Sequence, residues 1–182
     1  MKEFVCNGTD PLKRVLLCPP TYHEFEPINV ITEKWLDEKE TVNKEKCMAE
    51  HQLLIDAYEK NGVKVELMDP KPGLHYEVFA RDFGGCVKEG YIMGSFREPC
   101  RQAETAEYEK KMKELGIPVI ARCTSGAFEG GDFWMLDDYT IAHGIIARTD
   151  RDGFENVKRQ VEELGYTMVG VPCARRNLHL DM

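Results

Sequence analysis

Asp82 and Asp132 stand fifty positions apart, and the residues after each run in parallel. Asp82-Phe83 leads into "GGCVKEGYIMG" and Asp132-Phe133 into "WMLDDYTIAHG", each reading as two short strands, with Gly94 and Gly144 both twelve residues beyond their aspartate. A helical apolar pattern follows each copy: residues 100–115 align Tyr108, Met112 and Leu115, and residues 151–164 align Phe154, Val157, Val161 and Leu164. Residues 38–61 show the same pattern, with Leu53, Leu54, Ala57 and Tyr58 on one face. The three helical stretches end alike, in "YEKNGVKVEL", "MKELGIPVIA" and "VEELGYTMVG". These endings put Gly62, Gly116 and Gly165 where a left-handed C-cap belongs, directly before a β-rich run. Asp181 follows Asp132 by 49 residues and opens a further copy on "NLHLDM", an apolar stretch that reads as a buried strand. Strand, strand, helix and strand at a period near 50 describe an α/β chain of similar modules, each covering its neighbour's apolar face in a ring or stack. In a ring, equivalent positions converge on the axis, which brings together Asp82, the Glu129/Asp132 pair and the His179/Asp181 pair.

A length of 182 residues suits one domain, residues 1–182, with a real core. The net charge of -8 argues against nucleic acid or an anionic membrane surface as partner, because phosphate binding needs clustered Lys and Arg. A small cation is compatible with that charge. No segment approaches the roughly 20 apolar residues of a membrane span, and "MKEFVCNGTD" lacks the apolar core of a signal peptide, so a cytoplasmic protein is expected. Seven scattered cysteines do not form a disulfide framework and suit a reducing compartment. There is no CxxC, no histidine pair at ligand spacing, no phosphate loop and no GxSxG, so neither a metal nor a nucleotide cofactor is expected.

The acidic positions lie in "EVFARDFGG", "FEGGDFW" and "LHLDM". Carboxylates beside glycines can approach a ligand closely, and several converging carboxylates call for a cation. A guanidinium is the natural candidate, since its planar donors match carboxylates in paired, charge-assisted hydrogen bonds. Each acid could instead be a solvated turn residue. His179 could be a catalyst or a hydrogen-bonded structural histidine. Arg148 in "IIARTD" could cap a strand end or pair with Asp150, and Arg101 could pair with Glu104 at i,i+3.

"VFARD", "FEGGD", "RTD" and "LHLDM", in this order, resemble the guanidine-modifying superfamily: arginine deiminases, dimethylarginine dimethylaminohydrolases and amidinotransferases. The early "LLCPPTYHEFEPIN" looks like the opening of its dimethylarginine dimethylaminohydrolase-like and arginine dihydrolase-like members, so the resemblance runs from about Arg14 to Met182. It implies the pentein fold, a pseudosymmetric α/β propeller with an axial active site, of which this chain supplies about three to four of five modules. By position, Asp82 and Glu129 then hold the substrate guanidinium, with Asp132 beside them. His179 is the general acid/base, Asp181 a further guanidinium or histidine partner, and Arg148 and Arg101 bind an α-carboxylate. The implied reaction is cleavage of a C–N bond in arginine or an N-methylated arginine, giving citrulline plus ammonia or an alkylamine through a covalent cysteine intermediate, without cofactor. The arginine dihydrolase-like members carry asparagine where this chain has Asp82. Amidino transfer, or a non-catalytic binding module on the same fold, are the alternatives.

In the superfamily the nucleophilic cysteine follows the histidine, whereas Cys6, Cys18, Cys47, Cys86, Cys100, Cys123 and Cys173 all precede His179. The resemblance thus leads to the expectation of an N-terminal portion of a longer enzyme, lacking the attacking group, with an open sheet edge that favours self-association.

Overall fold

The computed structural model describes Phe4, Cys6, Asn7 and residues 9–174 and 177–182. They fall into two compact units, Lys13–Ala80 and a second comprising Met1–Leu12 with Arg81–Met182.

In the Lys13–Ala80 unit, strand β1 (Arg14–Leu17) pairs in parallel with β2 (Lys64–Leu67), and helices α1 (Val30–Asp37) and α2 (Lys44–Lys60) lie between them in sequence. The single helix expected over 38–61 is therefore shorter, and α1 is an element the periodicity does not show. Asn29 starts α1 by accepting from the amides of Ile31 and Thr32. It ends in a Schellman motif without glycine: Lys39 takes φ 59°, while the Lys39 and Glu40 amides donate to Leu36 and Trp35. Asn43 then caps α2 through the Lys46 amide. The expected α2 face is corrected as well, since Ile55 is its buried residue while Leu53 and Leu54 are exposed.

The second unit carries the repeat. A 3-10 turn over Ala80–Phe83 at its start precedes β3 (Gly84–Val87), β4 (Gly90–Met93), α3 (Glu104–Glu114) and β5 (Val119–Arg122). A 3-10 turn over Gly130–Asp132 likewise precedes β6 (Phe133–Met135), β7 (Thr140–Ile145), α4 (Arg151–Glu163) and β8 (Thr167–Pro172). Both copies form a three-stranded sheet with an antiparallel hairpin followed by a parallel strand, β3-β4-β5 and β6-β7-β8. Gly62, Gly116 and Gly165 take φ 75°, 70° and 91° at the helix ends, as a left-handed cap requires. Tyr108 and Met112 of α3 and Phe154, Val157 and Val161 of α4 are buried as their spacing predicts. The α4 residues share one core cluster with Ile92, Phe128, Phe133, Ile141 and Met168. A two-way backbone bridge between Ser95 and Phe128, 2.9 Å in each direction, ties the copies together.

Leu178–Asp181 form a bend and turn rather than the expected strand. Their amides go elsewhere: Leu180 N donates to Asp132 Oδ1 at 2.9 Å and Asp181 N to the Gly131 carbonyl at 3.2 Å. Among the described residues no helix is long and apolar enough to cross a membrane.

Candidate active site

The two 3-10 turns deliver Asp82 and Asp132, and the residue before the second turn is Glu129. Two consecutive glycines make the approach possible. A Cβ on Gly130 would lie 2.2 Å from the Gly84 carbonyl oxygen, so the second copy can press its turn on the first only without a side chain there. A Cβ on Gly131 would lie 2.5 Å from Cγ of His179, whose ring occupies that space. The "EGGD" run is thus a packing requirement as well as the source of two buried carboxylates. Gly131→Ala is expected to push the His179 ring off its partners and cost about 1–3 kcal/mol, as overpacking does; urea denaturation reads the loss.

His179 is buried, with Nε2 donating to Glu129 Oε2 at 3.1 Å and Nδ1 3.9 Å from Asp82 Oδ1. The other Glu129 oxygen accepts from the Arg97 amide at 3.0 Å. Burial opposes a charge on the imidazole. The Glu129 hydrogen bond and the charges of Asp82, Asp132 and Glu129 outweigh it, so the His179 pKa is raised above that of a free histidine. The two carboxylates therefore favour the protonated imidazole, which can release its proton when a neighbouring charge changes.

Asp82 is the hinge to a second group. Its Oδ2 accepts from Arg101 NH1 at 2.6 Å, and Arg101 is forked onto Glu104 by Nε (3.1 Å to Oε2) and NH2 (3.0 Å). The guanidinium also stacks over the Phe96 ring, 4.2 Å from its centroid. The i,i+3 pairing of Arg101 with Glu104 is as expected, but Asp82 completes a carboxylate-arginine-carboxylate chain that spacing alone does not show. Arg148 is buried apart from this chain and pairs with Glu98 at 2.6 Å. It does not pair with Asp150, which caps α4 through the Gly153 amide. Asp132 is fully buried, with Thr149 on Oδ2 and Leu180 N on Oδ1. Both its oxygens are thus engaged within the protein, and burial lifts its pKa to about 6 against those hydrogen bonds and the His179 charge. Asp181 turns to Arg81, whose Nε lies 3.4 Å from its Oδ2.

Of the residues singled out in the sequence, the structure gathers Asp82, Glu129 and His179, whose donor atoms all lie within 4.8 Å of one another. The Arg101 guanidinium on Asp82 disfavours a dication in that space. No cysteine belongs to the group, and burial pushes the Cys123 thiol up to about 11, away from nucleophilic use. Sequence reading missed Thr149, His143 and Arg81 as participants, although Thr149 and Arg81 lie inside the "RTD" and "ARD" runs. Side chains whose partners lie far away in sequence have no spacing signature.

The architecture resembles solved α/β hydrolases of guanidino compounds. A dimethylarginine dimethylaminohydrolase (DDAH) from Pseudomonas aeruginosa, a cysteine-to-serine mutant complexed with citrulline, superposes with a TM-score of 0.77 at 21% identity, over 92% of this chain and 63% of that one. The product-bound N-terminal domain of ArgZ, an arginine dihydrolase from the ornithine-ammonia cycle in cyanobacteria, gives 0.77 at 23% identity, over 92% and 60%. Residues 20–182 match the family described as N,N dimethylarginine dimethylhydrolase, eukaryotic. The chain belongs to this family, within the guanidine-modifying superfamily. Among sequence relatives, the uncharacterized protein YkgA of Bacillus subtilis (strain 168) is 30% identical over 170 residues, 93% of this chain and 58% of its own length. An arginine deiminase of Bacillus cereus is 29% identical over 126 residues, 63% of this chain and 30% of that enzyme. The chain thus spans between about a third and two thirds of the length of these relatives.

Proposed function

We propose that the Asp82–His179–Glu129 group is the guanidinium cradle and acid/base centre of a hydrolase acting on arginine or an N-methylated arginine. The observation that carries the reading is the buried imidazole set between two carboxylates, Nε2 on Glu129 and Nδ1 toward Asp82. A planar cation is held edge-on by such carboxylates, and an imidazolium beside it can protonate a departing amine. On this reading the repeated modules belong to a pentein-type propeller.

The reaction balances as follows. A cysteine thiolate adds to the guanidinium carbon, and the C–N bond to the amine breaks as His179 gives that nitrogen its proton. Neutral His179 then takes one proton from water, whose oxygen attacks the same carbon. As the C–S bond breaks and the C=O forms, the remaining hydroxyl proton passes to the released amine or to bulk water, and citrulline leaves with the thiolate restored and His179 protonated again. The described residues supply the cradle and the proton carrier, and the thiol comes from outside the 4.8 Å group. Arg148, buried and balanced by Glu98, offers the positive charge for an α-carboxylate. Arg101, committed to Glu104 and Asp82, serves first to aim Asp82.

Calorimetric titration with L-arginine and with Nω,Nω-dimethyl-L-arginine tests the reading. The wild-type chain should bind at least one of them, and Asp82→Ala should weaken it by tenfold or more, about 1.4 kcal/mol. Equal binding by both proteins, or none by the wild type, rejects the assignment.

A further inference from the structure

Behind the cradle lies a second layer of buried polar groups. Thr149, His143 and Asp132 are all fully buried, and their polar atoms meet at one hydroxyl. Thr149 Oγ1 lies 2.6 Å from Asp132 Oδ2, 3.1 Å from the Glu129 amide nitrogen and 3.1 Å from His143 Nε2. A hydroxyl has one proton and two lone pairs, so three neighbours exhaust it. The Glu129 N–H can only donate. The Asp132 carboxylate accepts, and so receives the hydroxyl proton. The remaining lone pair faces His143 Nε2, which must therefore carry its own proton. Nδ1 of His143 has no hydrogen-bond partner, which suits a neutral Nε2–H tautomer, since a proton there would be a buried unsatisfied charge.

We propose that Thr149 is a positioning residue for the acid/base pair. One hydroxyl fixes the backbone of Glu129 directly, and through Asp132 and the Leu180 amide it fixes the residue following His179. The two partners of the 3.1 Å Glu129–His179 hydrogen bond are thus registered to each other through a side chain whose hydrogen bonds go to the Glu129 amide, Asp132 and His143. The inference rests on the functional reading above for its catalytic meaning, and on hydrogen-bond stoichiometry alone for its geometry. The groups facing His179 are Asp82, Glu129 and Asp132; those acting on His143 are His179 and Arg81.

The test is an NMR titration of the histidine side chains in the wild type, Thr149→Ser and Thr149→Val, with L-arginine binding measured in parallel. In the wild type at neutral pH, the ring nitrogen shifts of His143 should report the neutral Nε2–H tautomer; the Nδ1–H tautomer, or a charged ring, overturns the proposal and needs no variant to do so. Thr149→Ser should titrate at His179 as the wild type does. In Thr149→Val, the His179 pKa should fall back toward 6.5 as its registration with Glu129 is lost. A wild-type titration in Thr149→Val, or an equal shift in the serine variant, also overturns it. Failure of the wild type to bind arginine counts against the hydrolase reading and leaves this result intact.

Discussion

Glu104→Ala should lower the unfolding free energy by about 3–5 kcal/mol, the cost of leaving a buried charge without its main partner. Arg101 is 4% exposed and Glu104 fully buried, and two of the three guanidinium nitrogens, Nε and NH2, bond to Glu104 Oε2. With Glu104 gone, Arg101 retains Asp82 and the Phe96 ring, neither of which replaces two charge-assisted hydrogen bonds. The double variant Arg101→Met/Glu104→Leu should recover most of that loss, because it removes both charges and fills the space with apolar atoms. Urea unfolding of the three proteins measures this. A single-variant loss below about 1 kcal/mol, the range of an exposed pair, would show that the fork contributes no more than a surface ion pair. In the double variant Asp82 loses the guanidinium that aims it, so stability and arginine affinity should separate: the first returns, the second does not.

A second large effect lies in acid. Burial, with the charges of His179 and Arg81, pushes the His143 pKa down from 6.5 to about 3. Below pH 6.5 the unfolded chain binds a proton at this residue that the folded protein refuses, so acidification favours unfolding. The stability at stake is whole above about pH 6.5 and is lost as pH falls toward 3, at about 1.4 kcal/mol per pH unit. His179 and Asp132 act in the other direction, since both have raised pKa values and their contributions favour the folded state as pH falls. A comparison isolates His143: its replacement by Gln keeps a donor for Thr149 but does not titrate. Between pH 7 and 5 the wild type should lose on the order of 2 kcal/mol more stability than His143→Gln. Parallel stability curves for the two proteins would mean that His143 is not kept neutral by its surroundings.

These two predictions rest on residues of unequal visibility. Arg101 and Glu104 are three apart, and that spacing already suggests a pair. Burial converts a pair of small worth into a costly one to break, and the groups that meet the Arg101 guanidinium include the Phe96 ring and the turn carrying Asp82. His143 lies in "TIAHGI" as one polar residue in an apolar strand, and nothing in that run says that its ring stacks on Phe128 at 3.9 Å or that its Nε2 meets Thr149. The same contrast holds for the helices. α3 and α4 bury Tyr108, Met112, Phe154, Val157 and Val161 as their periodicity selects, while Leu164 at the end of the second pattern is exposed and Leu115 half-buried; α1 ends on Lys39 at positive φ, a stop that no glycine advertises.

Local chemistry repeated at intervals was legible from the chain alone: the fifty-residue period, the glycine helix ends, the strand-strand-helix-strand order, and the acids and histidine worth watching. Each rests on interactions between near neighbours, which the order of residues specifies directly. Which of those side chains would meet was decided by the fold. Asp82, Glu129 and His179 come together because Gly130 and Gly131 let one module press against the turn of another and leave room for a ring. Asp132 and Asp181, equal to Asp82 in the repeat, are instead committed to Thr149 and Leu180 and to Arg81. Equivalent positions in a repeat have different neighbours across the module boundary, and a carboxylate takes its role from the donors that face it there.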